Sequence, residues 1–361
     1  MHFSVKRAAP GGHDDIRGYE LPSWAALVMF IDILLLIPIV LLFEYTFKMM
    51  YPVFAMVEDE NPPAYEPVAL SEQSADAESG TGIGIGITRN GFKPTSGQPR
   101  TVTSSFRAIN RLLMGNGGIG ANLRGFSCFL VQALLTSVAL GIFTGALGRF
   151  FYPLATLLAS LALVQFSTAW VHIVISEPSP LHFWSRLPPF RRTFDATWKA
   201  MTIFWFAREI ARCVPIFTAL VLGLDLPRGG FNEPLDMDAI HAGFIIKFVI
   251  VTLVTVACSV FVIIPAYVVL VRVQASLLPV QQSTIIPFDR SFGGNVEPEV
   301  VGGKGYATVT DAWVTFSKTS WRRLLTLYVK MFALSVGAVL VCGAVLVPQA
   351  LFIAKHSKEV R

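Results

Sequence analysis

Long apolar runs separated by polar text set the pattern of this chain. A helix crosses a hydrocarbon layer of about 30 Å in about 20 residues, and six runs are of that order. They are Trp24–Phe43, Phe126–Leu147, Tyr152–Ile175, Ile203–Leu224, Ala242–Val271 and Met331–Ile353. In lipid an open chain satisfies its backbone only as helix, so each run predicts a transmembrane helix. The fourth is the most polar, because Arg208 and Arg212 interrupt its first half. The expected fold class is therefore all-α: a polytopic membrane protein of about six transmembrane helices, with short cytosolic amphipathic helices and a disordered first loop.

The polar text divides the chain further. Residues 1–23 read as an N-terminal tail, 24–56 as the first helix with its juxtamembrane segment and 57–103 as a cytosolic loop. Residues 104–353 read as a helical membrane domain of about five spans, and 354–361 as a C-terminal tail. Ser, Glu, Gly and Pro dominate Val57–Thr103, a composition that buries too little apolar surface to fold alone. Pro279–Gly305, rich in Gly, Pro and Val, has room for a short hairpin. Three segments mix aromatic and basic residues as helices in a headgroup layer do: SSFRAINRLLM (104–114), FDATWKAMTIFW (194–205) and DAWVTFSKTSWRRLL (311–325). WVHIVISEPSP (170–180) and VLVRVQASLLPV (269–280) read as related hairpin ends, a weak internal repeat. The proline–acid–base signature of mitochondrial carriers is absent, so that six-span family does not apply.

Composition agrees. Of 361 residues 53% are hydrophobic and 15% charged, against roughly 25% charged in a soluble domain. The formal charge is +5, and most Lys and Arg lie in 44–125, 176–202 and 272–330, whereas the loop LDLPRGGFNEPLDMD is acidic on balance. The positive-inside rule places the long loops in the cytosol and both termini in a lumen or outside the cell. Lys355, Lys358 and Arg361 in the C-terminal tail weigh the other way. The text before Trp24 carries mixed charge and no small-residue cleavage site, so the first run is expected to stay as a helix rather than leave as a signal peptide. The lipid bilayer is the expected partner, in the endomembrane system or the plasma membrane; no basic module for nucleic acid is present.

Candidate chemistry is sparse. Cys128, Cys213, Cys258 and Cys342 lie in or beside apolar runs without paired spacing, which predicts packing rather than zinc or disulfides. No HExxH or GxSxG motif occurs, so no enzyme activity, catalytic residue, metal or cofactor is expected. Ionisable residues inside spans are functional candidates because burying charge in hydrocarbon is costly. Asp32 and His172 qualify as an intramembrane polar site, with an interhelical hydrogen bond as the plainer role for Asp32 and an interfacial position for His172. Lys247 is placed to snorkel. GTGIGIGITRNG (80–91) lacks the strand–turn–helix context of a phosphate loop and reads as a linker.

Pro62-Pro63-Ala64-Tyr65 is the most specific signal. It has the form PPxY, in which two prolines preset a polyproline II turn for an aromatic groove and tyrosine fills the adjacent pocket. Such a ligand suits WW domains, with Pro62, Pro63 and Tyr65 as the binding residues. One copy binds only at about micromolar strength or weaker without added avidity.

With EDENPPAYEPV, TSSFRAINRLL, STAWVHIVISEPSPLHFW and SRLPPFRRTFDATWKA together, most of the chain resembles a family of fungal multi-pass membrane proteins of unknown function. Some members bear the label "ubiquitin carrier protein". A ubiquitin-conjugating enzyme would need an HPN element and an exposed reactive cysteine, and this sequence has neither. The ubiquitin link it does support is recruitment of a HECT-type, WW-bearing ligase, with Lys48 and Lys93 as acceptor candidates. The expected function is a non-enzymatic scaffold, adaptor or sorting client. The alternatives are a transporter or lipid-handling protein with Asp32 and His172 in its pathway, or a membrane-shaping protein using its amphipathic helices.

Overall fold

A computed structural model describes residues 2–6, 16–20, 22–59, 102–224, 242–297, 299, 302–356 and 358–360. The chain opens with β1 (His2–Lys6) and β2 (Ile16–Glu20), and α1 (Ser23–Leu41) follows. A π-helical stretch, Leu42–Met50, carries α1 without a break into α2 (Tyr51–Val57), because both flanking residues keep helical dihedrals. Then come α3 (Phe106–Gly117), α4 (Phe126–Leu147), α5 (Tyr152–Ala162) and α6 (Val164–Ile175). The 32-residue α7 (Phe190–Val221) follows. After it, α8 (Ala242–Cys258) passes through a second π-helical stretch, Ser259–Ile263, into α9 (Ile264–Ser276). Short α10 (Val309–Val314), long α11 (Lys318–His356) and β3 (Lys358–Val360) complete the chain.

The protein is an all-α integral membrane protein by length and apolarity. Trp24–Val57, Gly120–Leu147, Ala242–Ser276 and Lys318–His356 are each long and apolar enough to cross a membrane. The pair α5–α6, bent by 56° at its break, makes a fifth if it counts as one span. The expected fourth span lies within α7, but α7 does not reach the same apolarity, since Arg208, Glu209 and Arg212 occupy its middle. Four or five such helices are therefore present among the described residues where the sequence pattern predicted about six.

The expected amphipathic helices are realised in three different ways. The first is α3, whose N-cap Ser105 accepts a hydrogen bond from the Ala108 N–H at 3.2 Å. The second is not separate: 194–205 is the interior of α7. The third is split, because a capping box between Thr308 and Asp311 starts α10 and the chain turns at 315–317 before α11 begins. No hairpin forms in the described part of Pro279–Gly305. Its Thr284 instead bridges to Ser176, and the Ile285 N–H donates to the Ile175 carbonyl at 2.9 Å. The two segments that read as a weak repeat, ends of α6 and α9, are thus neighbours in space. At the opposite end of α1, β2 pairs antiparallel with both β1 and β3, and Trp24 packs on Phe352 at 5.6 Å.

Burial divides the helices into two zones. Along α1, Leu27, Phe30, Leu34, Leu35 and Ile39 are exposed, as are Val339, Leu340 and Leu351 on α11. Apolar faces of this kind suit helices long and apolar enough to cross a membrane. Every residue of α2 is buried, together with the ends of α6 (Trp170–Ile175) and α9 (Val268–Ala275), Ile109 and Leu113 of α3, and Leu324 and Leu327 of α11. The apolar core therefore lies where these helices converge, away from the lipid-facing runs. Substituting Phe54→Ala should lower stability by about 3–5 kcal/mol, and Leu34→Ala by about 0.5 kcal/mol or less, read by unfolding of the detergent-solubilised protein.

Candidate functional site

Two carboxylates end the first helix. Val57 closes α2, and Glu58, wholly buried, follows it. The Glu58 carboxylate takes hydrogen bonds from the Val102 N–H at 2.5 Å, the Thr103 N–H at 3.1 Å and the Thr103 hydroxyl. Arg323 of α11 lies 3.3 Å from it and also donates to the Glu58 carbonyl at 2.9 Å. Asp59 pairs with Arg272 of α9 at 3.4 Å and accepts from the Asp289 N–H at 2.9 Å. Arg272 is only 1% exposed; it donates to the Met56 carbonyl and to Thr315, and its guanidinium lies over the rings of Phe292 and Phe316.

The charges explain the arrangement. Burial pushes the Asp59 carboxyl above its ordinary value, and the Arg272 guanidinium and the Asp289 N–H only partly offset it. Asp289 differs: burial alone would raise it, but hydrogen bonds from Ser291 and Gly293, with Arg272 nearby, hold it below its usual range. The outcome is a clamp that holds Glu58–Asp59 and Val102–Thr103 together at one place in the core. The sequence reading placed residues 57–59 and 102–103 in a disordered loop. Val57, Glu58 and Thr103 are instead buried and Asp59 and Val102 half-buried, because Glu58 and Asp59 find arginines far along the chain.

A second feature is a cavity of about 400 Å³ among α4, α5, α6, α7 and α9. Gln132, Thr136, Ser160, Ser167 and Gln274 bring polar groups to it, and Lys48 and Arg208 bring charge. Three departures from α-helical geometry line its wall: the π-helical Lys48 and Met49, the α5–α6 break at Leu163, and the π-helical Ile263. Such irregularities free backbone groups and recur where helices build sites.

The candidates from sequence are distributed as follows. Asp32 receives a hydrogen bond from Gln349 of α11 at 2.5 Å and borders an otherwise apolar groove, the interhelical role. His172 of α6 is buried against α9, its Nε2 2.8 Å from the Gln274 carbonyl. The two therefore have separate partners, and neither lines the cavity. Lys48 pairs with Glu44 at 2.6 Å on the cavity rim, and Lys247 donates to the Gly223 carbonyl at 3.1 Å. Cys128 is buried and Cys213 exposed. Pro62, Pro63, Tyr65 and Lys93 lie outside the described residues. Among the described residues there is no cluster of three or more His, Cys, Asp or Glu groups placed to hold a metal ion. No family model, curated protein or solved structure matches this chain.

Sequence reasoning passed over the clamp. Arg272 stood in view as a charge between Val271 and Val273, a signal for a buried partner. Removing one member of a buried pair leaves the other charge uncompensated and costs about 3–5 kcal/mol. Arg272→Met should lose stability on that scale and make 60–101 more readily proteolysed, while adding Asp59→Asn should restore much of the loss, as read by thermal unfolding in detergent.

Proposed function

We propose that the protein is a non-enzymatic membrane scaffold, adaptor or sorting client whose Pro62-Pro63-Ala64-Tyr65 element recruits a WW-domain partner, such as a HECT-type ubiquitin ligase. The observation that carries this reading is the Glu58 clamp. It roots the motif a few residues beyond a buried, ion-paired position, so a bound partner is held close to the membrane-embedded body. A partner that also binds the membrane would then make its second contact intramolecularly, which offsets a weak single-copy ligand. In this reading the packed core and the motif face the cytosol, six helices including α7 cross the membrane, and both termini lie on the other side. The pairing of β2 with β3 and the contact of Trp24 with Phe352 support an even number of crossings.

Tyr65→Ala should abolish capture of the full-length protein by immobilised WW domains and lengthen its lifetime in cells. Unchanged capture would reject this reading.

The cavity favours a second reading, lipid handling, at residues other than Asp32 and His172. Polar Gln132, Ser167 and Gln274 stand beside apolar Leu163 and Leu270, a lining suited to an amphipathic molecule. Thr136→Trp would fill the space and should reduce the lipid that copurifies with the protein, measured by mass spectrometry, while leaving WW capture intact. Lipid content unchanged by this filled variant would remove the second reading.

A further inference from the structure

A different pocket, of about 450 Å³, opens between the start of α4 and the turn after α6. Its wall includes Arg124, Gly125, Ser127, Ser179, His182 and Arg186. Arg124 is fixed from behind, since the Tyr45 hydroxyl donates to its carbonyl and Trp170 donates to that hydroxyl at 3.0 Å. Gly125 follows with φ +74°, a turn that a side chain would strain, and an added Cβ would lie 3.2 Å from both Trp170 and Tyr45. Arg186 is held by neutral groups: it donates to Ser176 at 2.5 Å and to Gln282 at 3.1 Å.

The charge balance of this pocket is unusual. Arg124 and Arg186 are both half-buried and bring two positive charges to the same pocket. Neither makes an ion pair with a carboxylate among the described residues. Glu177 is near enough to favour the Arg124 charge but is exposed. The Arg124 Nη1 is buried and has no hydrogen-bond partner. Elsewhere in this protein buried arginines meet carboxylates, as Arg272 and Arg323 do. In addition α4 starts after the N-cap Gly125, which supplies no side-chain cap, so the positive end of its dipole adds to the same field. Leu181 and Trp184, both well exposed, also line the pocket, and α4 runs from it into the apolar span. Aromatic residues of this kind favour the headgroup level of a bilayer.

We propose that this pocket binds a phosphate group, with Arg124 and Arg186 as its two cationic walls and the start of α4 as its floor. Guanidinium forks match phosphate oxygens in geometry and charge. The group can arrive on a lipid headgroup or as soluble phosphate, and the two sources share this chemistry. The proposal does not depend on the WW-domain reading.

The test uses the full-length protein in nanodiscs of phosphatidylcholine, with or without phosphatidic acid, and follows the melting temperature and lipid retention on extraction into detergent. A matched arm titrates inorganic phosphate into the phosphatidylcholine discs. Phosphatidic acid should stabilise the protein and be retained. Arg124→Gln and Arg186→Gln should each weaken retention by about tenfold or more, whereas the exposed Arg322→Gln should not. Ser127→Trp blocks the pocket without altering charge and should weaken retention too, which separates occupancy from any folding defect in the arginine variants. Stabilisation by inorganic phosphate that displaces the lipid effect identifies the soluble source; a lipid effect that resists phosphate identifies the headgroup. Equal loss in Arg322→Gln, unaffected retention in Ser127→Trp, or no response to either ligand would overturn the proposal.

Discussion

Two adjacent acids, Glu58 and Asp59, must leave water together, and much of the core is arranged around that demand. Burying a carboxylate is expensive unless charge and hydrogen bonds replace its hydration. Glu58 obtains Arg323 and three donors from Val102 and Thr103; Asp59 obtains Arg272 and the Asp289 N–H. These contacts tie α2 to α9, to the start of α11 and to the segments around 102–103 and 285–292. The apolar packing of Phe54, Val271 and Leu324 lies within the frame they define. Such pairs add less net stability than their number suggests, but they leave few alternative ways for the helices to register.

Helix continuity follows the same division into zones. The first rod, α1 to α2, runs from lipid-facing Leu27 and Phe30 to wholly buried Met56 and Val57. Its π-helical stretch lies between the two regimes, where one helix must change the face it buries. The second π-helical stretch makes a similar transition between exposed α8 and buried α9. Space left by these transitions, and by the bend at Leu163, is the cavity. Its polar lining of Gln132, Ser167 and Gln274 then has a simple origin, since backbone and side-chain groups near such breaks need partners that lipid does not supply.

Much of the membrane architecture was legible in the sequence. The run Phe126–Leu147 matches α4 at both ends, and α3 occupies the segment that read as amphipathic. These succeed because composition within one window decides them. The fourth run, read as a span, is helix within α7 but falls short of the apolarity of the others, since Arg208 and Arg212 dilute it. The break at Leu163 has neither proline nor glycine to announce it. The clamp was hidden for a different reason. Arg323 is 265 positions from Glu58, and Arg272 is 213 from Asp59, so no local pattern joins them. Read locally, both arginines served only as markers of orientation. His172 was visible as an unusual residue, but its partner, a main-chain carbonyl on α9, has no side-chain signature at all.

The contact between the first and last helices bears on how the chain is made. Asp32 meets Gln349 across 317 positions of sequence. At roughly 5–20 residues per second, synthesis of that interval takes on the order of tens of seconds. Throughout it the first helix holds an acid in the bilayer without its final partner, and Glu58 waits for Arg323 nearly as long. The expected consequence is a closure in two stages: Asp59 can meet Arg272 before the last helix is made, but the Glu58–Arg323 and Asp32–Gln349 contacts close only when α11 emerges. A nascent chain arrested before Lys318 would remain protease-sensitive at Glu58–Asp59, and full protection would come only with the last helix.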